Sequence, residues 1–273
     1  MRDFSISPFG FAQDTWQKRR LIYNLSKREV VGRYRGSFVG IFWSFLTPIL
    51  LLTVFTFVFG EIFQARWGDR VQSGPLDFAV ALFAGLLIFN FFSECIGRAP
   101  TLIIANANYV KKVVFPLEVL TLVTLLAALF HLAAGYIILL ILMTLSSWEF
   151  SWHMLLVPII FAPFAILVLG LTWGLSAIGV YLRDIGQLIA PVLTAMMFLS
   201  PIFYPLSSVS DKFMWIYQLN PLTFVIEQVR AVMLQGVQPN WVGLGYYSLA
   251  SLLIGYLGFV VFQKTRKGFA DVL

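Results

Sequence analysis

Six long apolar stretches, separated by short polar segments, set the pattern of the chain. A helix rises about 1.5 Å per residue, so a stretch of about 20 apolar residues crosses a hydrocarbon core of about 30 Å. The predicted spans are about 37–59, 78–96, 119–145, 155–181, 187–203 and 242–262. The pattern therefore predicts an all-α polytopic membrane protein with six transmembrane helices.

The segment before the first span predicts a helix at the membrane surface. Residues 1–35 carry apolar positions at helical spacing with Lys and Arg between them, as in helices that lie in the membrane interface. A solvated juxtamembrane helix would have the same pattern. The candidate interface residues are Trp16, Lys18, Arg19, Arg20, Lys27 and Arg28. Residues 36–265 would then form the transmembrane domain, and residues 266–273 a cytoplasmic tail.

A polar interior segment, residues 98–120, is too polar to span a membrane and too short to fold alone. Its centre, residues 106–112, is polar and basic, and Pro116 closes it. This pattern predicts a short helix on the cytoplasmic face, offered to a partner that the chain does not contain.

A second mixed segment lies between the fifth and sixth spans. Asn220 followed by Pro221 has the pattern of a helix N-cap with proline at the first helical position, and Gly236 is placed to end that helix. We expect re-entrant helices on the periplasmic side at about 201–235. Broken helices at that depth need burial against protein or contact with water.

Glycines mark two places in the spans. Gly32, Gly36 and Gly40 recur every four residues before the first span, which suits either close helix packing or a flexible joint. The fourth span should pack closely in its second half, where it carries Gly170, Gly174 and Gly179.

Three ionisable residues lie within or at the ends of the spans. Glu94 and Arg98 are four residues apart on one helix face and are expected to pair with each other. His131 has no acidic neighbour in sequence, so a polar packing contact or a lumen-facing position is favoured over a proton relay.

Composition and charge agree with a membrane protein. The chain is 59% hydrophobic and 12% charged, whereas soluble domains carry about 25% charged residues. Fifteen of the 19 Lys and Arg residues fall before residue 37, in 97–118, in 182–188 or after residue 262. The positive-inside rule then places both termini and segment 106–112 in the cytoplasm. This loop-confined charge favours lipid contacts over nucleic-acid binding.

Motifs for energy-coupled or catalytic chemistry are missing from the sequence. No glycine is followed by lysine, so there is no P-loop for ATP phosphates, and neither H-E-x-x-H nor G-x-S-x-G occurs. The single cysteine, Cys95, cannot form an internal disulfide. The chain is expected to be a transport subunit and not an enzyme, with no cofactor of its own.

Five motifs in order give the chain a family resemblance. They are RYRGSFVGIFWSFLTP at 33–48, NYVKKVVFPLE at 108–118, RDI at 183–185, LSPIFYP at 199–205 and LNPL at 219–222. Together they resemble type-2 ABC exporter permeases, most closely the branch that exports lipid-linked polysaccharides such as O-antigen of lipopolysaccharide, capsule or teichoic acid.

The resemblance implies a multi-pass protein of the bacterial inner membrane, and a homodimer with a pore between two copies of the chain. It also implies two copies of a separate ATPase subunit, which would bind ATP and Mg²⁺ and grip a coupling helix at about 100–113. The coupling residues would be Asn106, Asn108, Tyr109, Lys111 and Lys112. ATP-driven closure of the ATPase would push this helix and move the spans as rigid bodies.

The expected substrate is a lipid-linked glycan moving from the cytoplasm to the periplasm. Aromatic side chains would give a pore an amphipathic wall for sugar rings. The candidates are Trp43, Phe55, Phe59, Phe198, Phe203 and Tyr204. Any single Phe could instead face lipid or pack helices together. Export of a drug or small lipid, a self-sufficient carrier or channel, and a membrane-embedded transferase remain alternatives.

Overall fold

The computed structural model describes residues 7–62, 75–112, 115–145 and 151–273. These residues are helical, with no strand among them. The helices are α1 (Pro8–Gln17), α2 (Arg19–Arg33), α3 (Trp43–Phe55), α4 (Pro75–Ala105), α5 (Ala107–Lys112), α6 (Glu118–Leu145), α7 (Val157–Tyr181), α8 (Ile185–Phe198), α9 (Met214–Leu219), α10 (Pro221–Arg230), α11 (Trp241–Thr265) and α12 (Phe269–Val272).

Within the described ranges, five helical stretches are long and apolar enough to cross a membrane. They are Gly40–Ile62, Asp77–Ala105, Glu118–Leu145, Trp152–Tyr181 and Trp241–Val272. The first joins α3 to a preceding 3₁₀ turn and a following π-helical segment, Thr56–Ile62. A multi-pass, all-helical membrane protein is therefore confirmed.

The fifth predicted span, 187–203, is shorter than expected. Its helix α8 has 14 residues and reaches about 21 Å, which is less than the hydrocarbon core of about 30 Å. After Phe198 the chain turns, because polar side chains bind the backbone there. The Asn220 side-chain amide donates to the Leu199 carbonyl at 3.0 Å. The carbonyls of Pro201 and Ile202 accept hydrogen bonds from Arg230.

Helix α4 is the centre of the bundle. It packs against α6, α7, α8 and α10, and most of its apolar residues are buried. At 31 residues it is about 46 Å long, which exceeds the thickness of a hydrocarbon core. The second span predicted at 78–96 thus continues to Ala105 as one helix.

Close packing in the second half of α7 is confirmed at two of the three predicted glycines. A Cβ on Gly170 would lie 2.5 Å from the Cα of Gly255 in α11, and one on Gly179 would lie 2.2 Å from the Pro100 carbonyl oxygen. At Gly174 the nearest atom would be 4.0 Å away, so this glycine is not at a tight contact.

The link between α2 and the first span behaves as a joint. Gly36 and Gly40 have φ of 85° and 59°, in the left-handed region that favours glycine. No atom lies within 4 Å of a Cβ built on either residue, or on Gly32. Within this chain the structure therefore favours the flexible-joint interpretation over close helix packing.

The helix predicted after Asn220 is confirmed with its caps. The Asn220 side chain accepts a hydrogen bond from the Leu222 amide at 2.9 Å, and Pro221 occupies the first turn of α10. A π-helical segment, Ala231–Gln235, extends α10 to Gly236, whose φ of 64° ends it. Local capping chemistry was enough to predict this element.

Residues 266–273 do not form a free tail. They make a 3₁₀ turn and the short helix α12, because the apolar side chain of Phe269 is fully buried. Its ring packs against Phe262 and Tyr181. Arg266 pairs with the buried carboxylate of Glu118 and so links the end of α11 to the start of α6.

Candidate functional site

The candidate coupling segment is a separate short helix after α4. At Asn106 the backbone amide donates to the Ile103 carbonyl at 3.0 Å, and the side-chain amide donates to the Leu102 carbonyl at 2.9 Å. These bonds end α4 and let the chain restart as α5. The helix expected at about 100–113 is therefore divided, since residues 100–105 belong to α4.

Helix α5 is held in place by contacts with residues near both ends of the sequence. The Tyr109 ring stacks on Phe115 with centroids 4.5 Å apart, and its hydroxyl accepts a hydrogen bond from Arg28 of α2 at 2.9 Å. The Lys111 ammonium donates to the backbone oxygen of Leu273. Asn108 and Lys111 are exposed, whereas the side chain of Lys112 lies outside the described residues.

Two ion pairs fasten α2 to α4, and neither is the pair expected from sequence. Glu94 accepts from Arg33 at 2.6 Å, and Arg98 donates to Glu29. The predicted Glu94–Arg98 pair was wrong, because α2 packs close enough to supply a partner of opposite charge to each residue. Together with the bond from Arg28 to Tyr109, these pairs join the surface helix to both α4 and α5.

His131 of α6 completes this cluster. Its Nδ1 lies 2.9 Å from a carboxylate oxygen of Glu94, and its Nε2 lies 3.1 Å from the Tyr34 hydroxyl. The predicted polar packing contact is confirmed, although the acidic partner comes from another helix, 37 residues earlier in the chain. Burial raises the pKa of Tyr34 above its ordinary value, so its hydroxyl stays protonated at neutral pH.

Four of the six aromatic candidates form one cluster where α3 ends and α8 turns. The Phe203 ring stacks on Phe59 with centroids 4.7 Å apart and meets the edge of Phe55 at 5.4 Å. Phe198 joins at 5.7 Å from Phe203. Phe203 itself is buried, whereas Phe198 is about half exposed.

The other two aromatic candidates lie outside this ring cluster. The Tyr204 hydroxyl hydrogen-bonds to the Phe198 carbonyl and lies 2.8 Å from the Tyr217 hydroxyl, which holds the turn after α8. Trp43 begins α3, 12 residues before Phe55 and thus about 18 Å away along the helix. Its indole nitrogen donates to Ser37 at 2.9 Å.

Arg230 is a buried structural group that the sequence interpretation missed. Its guanidinium donates to the carbonyls of Ala81 and Ile202 at 2.9 Å each, and also to that of Pro201. A Cβ on Gly85 would lie 2.6 Å from this guanidinium, so α4 needs a glycine at this position.

The candidate interface residues lie in α1 and α2 and, for Lys18, between these two helices. Trp16 is 71% exposed, and the Arg19 guanidinium lies over its ring at 5.1 Å. Lys18 pairs with Asp14 at 3.4 Å, and both Arg20 and Lys27 are exposed. Helix α2 buries its opposite face against α6, where Ile22 meets Val119 and Val123.

The ionisable side chains of the site are spread over several helices. No group of three His, Cys, Asp or Glu side chains able to hold a metal occurs among the described residues. The ionisable side chains of this site instead bridge helices. Side-chain contacts of this kind join α2 to α4 and α2 to α5.

Known proteins resemble this chain over most of its length. An O-antigen export system permease protein RfbA from Myxococcus xanthus is 29% identical over 95% of this chain and 97% of its own. One from Klebsiella pneumoniae is 24% identical, covering 93% and 95%. The polysialic acid transport protein KpsM of Escherichia coli is 26% identical, covering 88% and 91%. The family model of the ABC-2 type transporter matches residues 20–234, and the chain thus belongs to that family.

Proposed function

We propose that this protein is the permease subunit of an ATP-driven exporter of a lipid-linked polysaccharide, with O-antigen as the first candidate. Two copies of the chain would enclose the pore, and two copies of a cytoplasmic ATPase would supply the energy. ATP and Mg²⁺ would bind only the ATPase. The glycan would pass from the cytoplasm to the periplasm.

The observation that carries this proposal is the arrangement of α5. It is a short helix between two candidate spans, with Asn108 and Lys111 exposed and Tyr109 tied to α2. A push on its exposed face would be transmitted to α2 and α4 because all three helices are linked by side chains. A chain with no P-loop needs such an external source of work.

The exposed apolar surface of the first span supports a pore between two copies. Ile49, Leu50, Val54 and Phe57 are each 42–59% exposed in the single chain. Lipid or a second copy would cover them. The Phe55, Phe59, Phe198 and Phe203 cluster lies at the end of this helix and would form the aromatic wall of the exit.

The six-span architecture remains part of this proposal. Helix α8 would complete the fifth crossing together with residues 199–205, and α9 and α10 would be the periplasmic re-entrant helices. Arg230 and Asn220 support that arrangement because they satisfy backbone carbonyls of the turn, as nonhelical backbone at membrane depth requires.

Substrate class is inferred from the names of the relatives. Two different polymers, an O-antigen and polysialic acid, are named among them. Both are long polysaccharides, so the shared substrate class is a polysaccharide.

Charge reversal on α5 tests the proposal. In the complex with its cognate ATPase, the variant Lys111→Glu with Lys112→Glu should lose ATPase co-purification and export of the lipid-linked glycan, since two cations become anions at the docking helix. The matched control is Lys212→Glu, in the segment between α8 and α9. Thermal unfolding of both variants would separate lost docking from lost folding. Normal ATPase association and normal export by the α5 variant would refute the coupling role.

A further inference from the structure

An apolar groove lies between helices α1 and α2 on one side and α6 on the other. Its volume is about 830 Å³, within the range of about 300–1,000 Å³ typical of small-molecule sites. Ile22 and Val30 of α2 form one wall, and Leu126 and Phe130 of α6 form the other. Leu126 and Phe130 are each more than one-third exposed on a candidate span, so the groove opens toward the lipid acyl chains.

Two cations stand at the groove. Arg19 and Lys27 both line it, and its lining includes no acidic residue. Among the described residues, Lys27 has no hydrogen-bond or ion-pair partner. The Arg19 guanidinium is directed over Trp16, which also lines the groove. An apolar floor with two positive charges suits an amphipathic anion.

We propose that the groove binds an anionic glycerophospholipid of the cytoplasmic leaflet, with its acyl chains between α2 and α6 and its phosphate at Arg19 and Lys27. This lipid is chosen over the lipid-linked glycan because the groove is remote from the aromatic cluster. Ile41, at the groove, and Phe55 are 14 residues apart, about 21 Å along the helix.

A bound lipid would add contacts between α2 and α6 to the ion pairs that join α2 to α4. The proposal rests on the proposed membrane-interface position of α1 and α2, and it does not depend on transport. Its test therefore measures lipid retention alone, so that a failure of export would leave its result unchanged.

Native mass spectrometry of the purified permease–ATPase complex, titrated with phosphatidylglycerol or phosphatidylcholine, is the test. The wild type should retain phosphatidylglycerol preferentially. The double variant Arg19→Gln, Lys27→Gln should weaken that retention about 30-fold, since two basic residues near an anionic lipid each contribute about fivefold. The neighbouring Arg20→Gln does not alter a groove-lining residue and should stay within about twofold of wild type.

A second variant probes the apolar floor without changing charge. Ala12 lines the groove, and Ala12→Phe should fill part of it and reduce retention of both lipids. Equal loss with Arg20→Gln, equal binding of the two lipids by the wild type, or retention of lipid-linked glycan in place of phosphatidylglycerol would each overturn the proposal. Disulfide cross-linking of two copies through Ala12→Cys would also overturn it, because a second copy would then cover the groove.

Discussion

Glu94 accepts a 2.6 Å hydrogen bond from Arg33, which is 61 residues earlier in the chain and on a different helix. Arg98 lies one turn away from Glu94 on the same helix and pairs with Glu29 instead. Both pairs thus cross from α2 to α4, and each helix contributes one acid and one base. Helix α2 is thereby fixed in register against helix α4.

Removing the charge of Glu94 should destabilise the protein. In Glu94→Gln, Arg33 and His131 lose their shared carboxylate partner. Breaking a buried pair costs about 3–5 kcal/mol and an exposed pair about 0–1 kcal/mol, and the 15% and 37% exposed side chains here should give about 1–3 kcal/mol. Thermal unfolding of the detergent-solubilised protein would measure it.

Glu29→Gln is the matched control for that loss. The Glu29 and Arg98 side chains are 34% and 38% exposed, so this change should cost less than about 1 kcal/mol. If the two variants unfold at the same temperature, the Glu94 cluster has no special role in stability.

The bond from Arg28 to Tyr109 should couple α2 to the α5 surface. Tyr109→Phe removes the hydroxyl while keeping the ring on Phe115, and Arg28→Gln removes the guanidinium. Each should slow ATP-driven export about 2- to 10-fold, the equivalent of one net hydrogen bond. Because both act through one contact, the double variant should be no slower than the slower single variant.

Tyr246→Phe serves as the control for this cycle, since Tyr246 is 72% exposed on α11. It should export at the wild-type rate. Effects of Tyr109→Phe and Arg28→Gln that multiply in the double variant would mean that the two residues act independently.

Elements fixed by local chemistry could be predicted from the sequence, whereas contacts between distant helices could not. One helix has its start set by Asn220 and Pro221 and its end set by Gly236, through the backbone preferences of these residues. In the structure the helix begins and ends at these positions. Glu94 and Arg98 also have a favourable local spacing. Their partners are set by the packing of α2 on α6, which brings Glu29 and Arg33 to α4 and which no short stretch of sequence encodes.

The candidate site follows the same division. Segment 106–112 was recognisable because polar residues interrupt two apolar runs. Arg230 could have been suspected as a lone cation within an apolar stretch, but its acceptors are backbone carbonyls at Ala81, Pro201 and Ile202. Carbonyl groups are present at every residue, so the sequence carries no signal for which ones it binds.

Replacing Arg230 should loosen the turn after α8. In Arg230→Met three carbonyls lose a buried donor, and each such loss costs about 1–3 kcal/mol, so destabilisation of about 3 kcal/mol or more is expected. Arg230→Lys keeps the charge but lacks the planar set of donors of the guanidinium. Its stability should therefore lie between that of the wild type and that of Arg230→Met. Thermal unfolding and limited proteolysis would measure both.

Lys212→Met provides the comparison, because Lys212 is exposed and should tolerate the change within about 0.5 kcal/mol. Unfolding of Arg230→Met at the wild-type temperature would show that the turn holds without the guanidinium.

Alanine at Gly36 should stiffen and strain the joint before α3. Its φ of 85° costs an L-residue about 1–2 kcal/mol, so Gly36→Ala should lower stability by that amount. Gly32→Ala, inside α2 with open space around it, should instead stabilise by about 0.5–1 kcal/mol. Opposite shifts in unfolding temperature would confirm the joint, and a stabilised Gly36→Ala would contradict it.

Because α4 runs as one helix from Pro75 to Ala105, with Pro100 inside it, it links two polar clusters that lie far apart in the molecule. Ala105 adjoins α5, and Ala81, about 36 Å away along the same axis, supplies a carbonyl to Arg230. Under the proposed coupling role of α5, an axial shift of α4 at Ala105 would move the Ala81 carbonyl together with the Arg230 guanidinium bound to it. In the proposed exporter, α4 would then be the direct mechanical link between the α5 surface and the peptide bonds of Pro201 and Ile202.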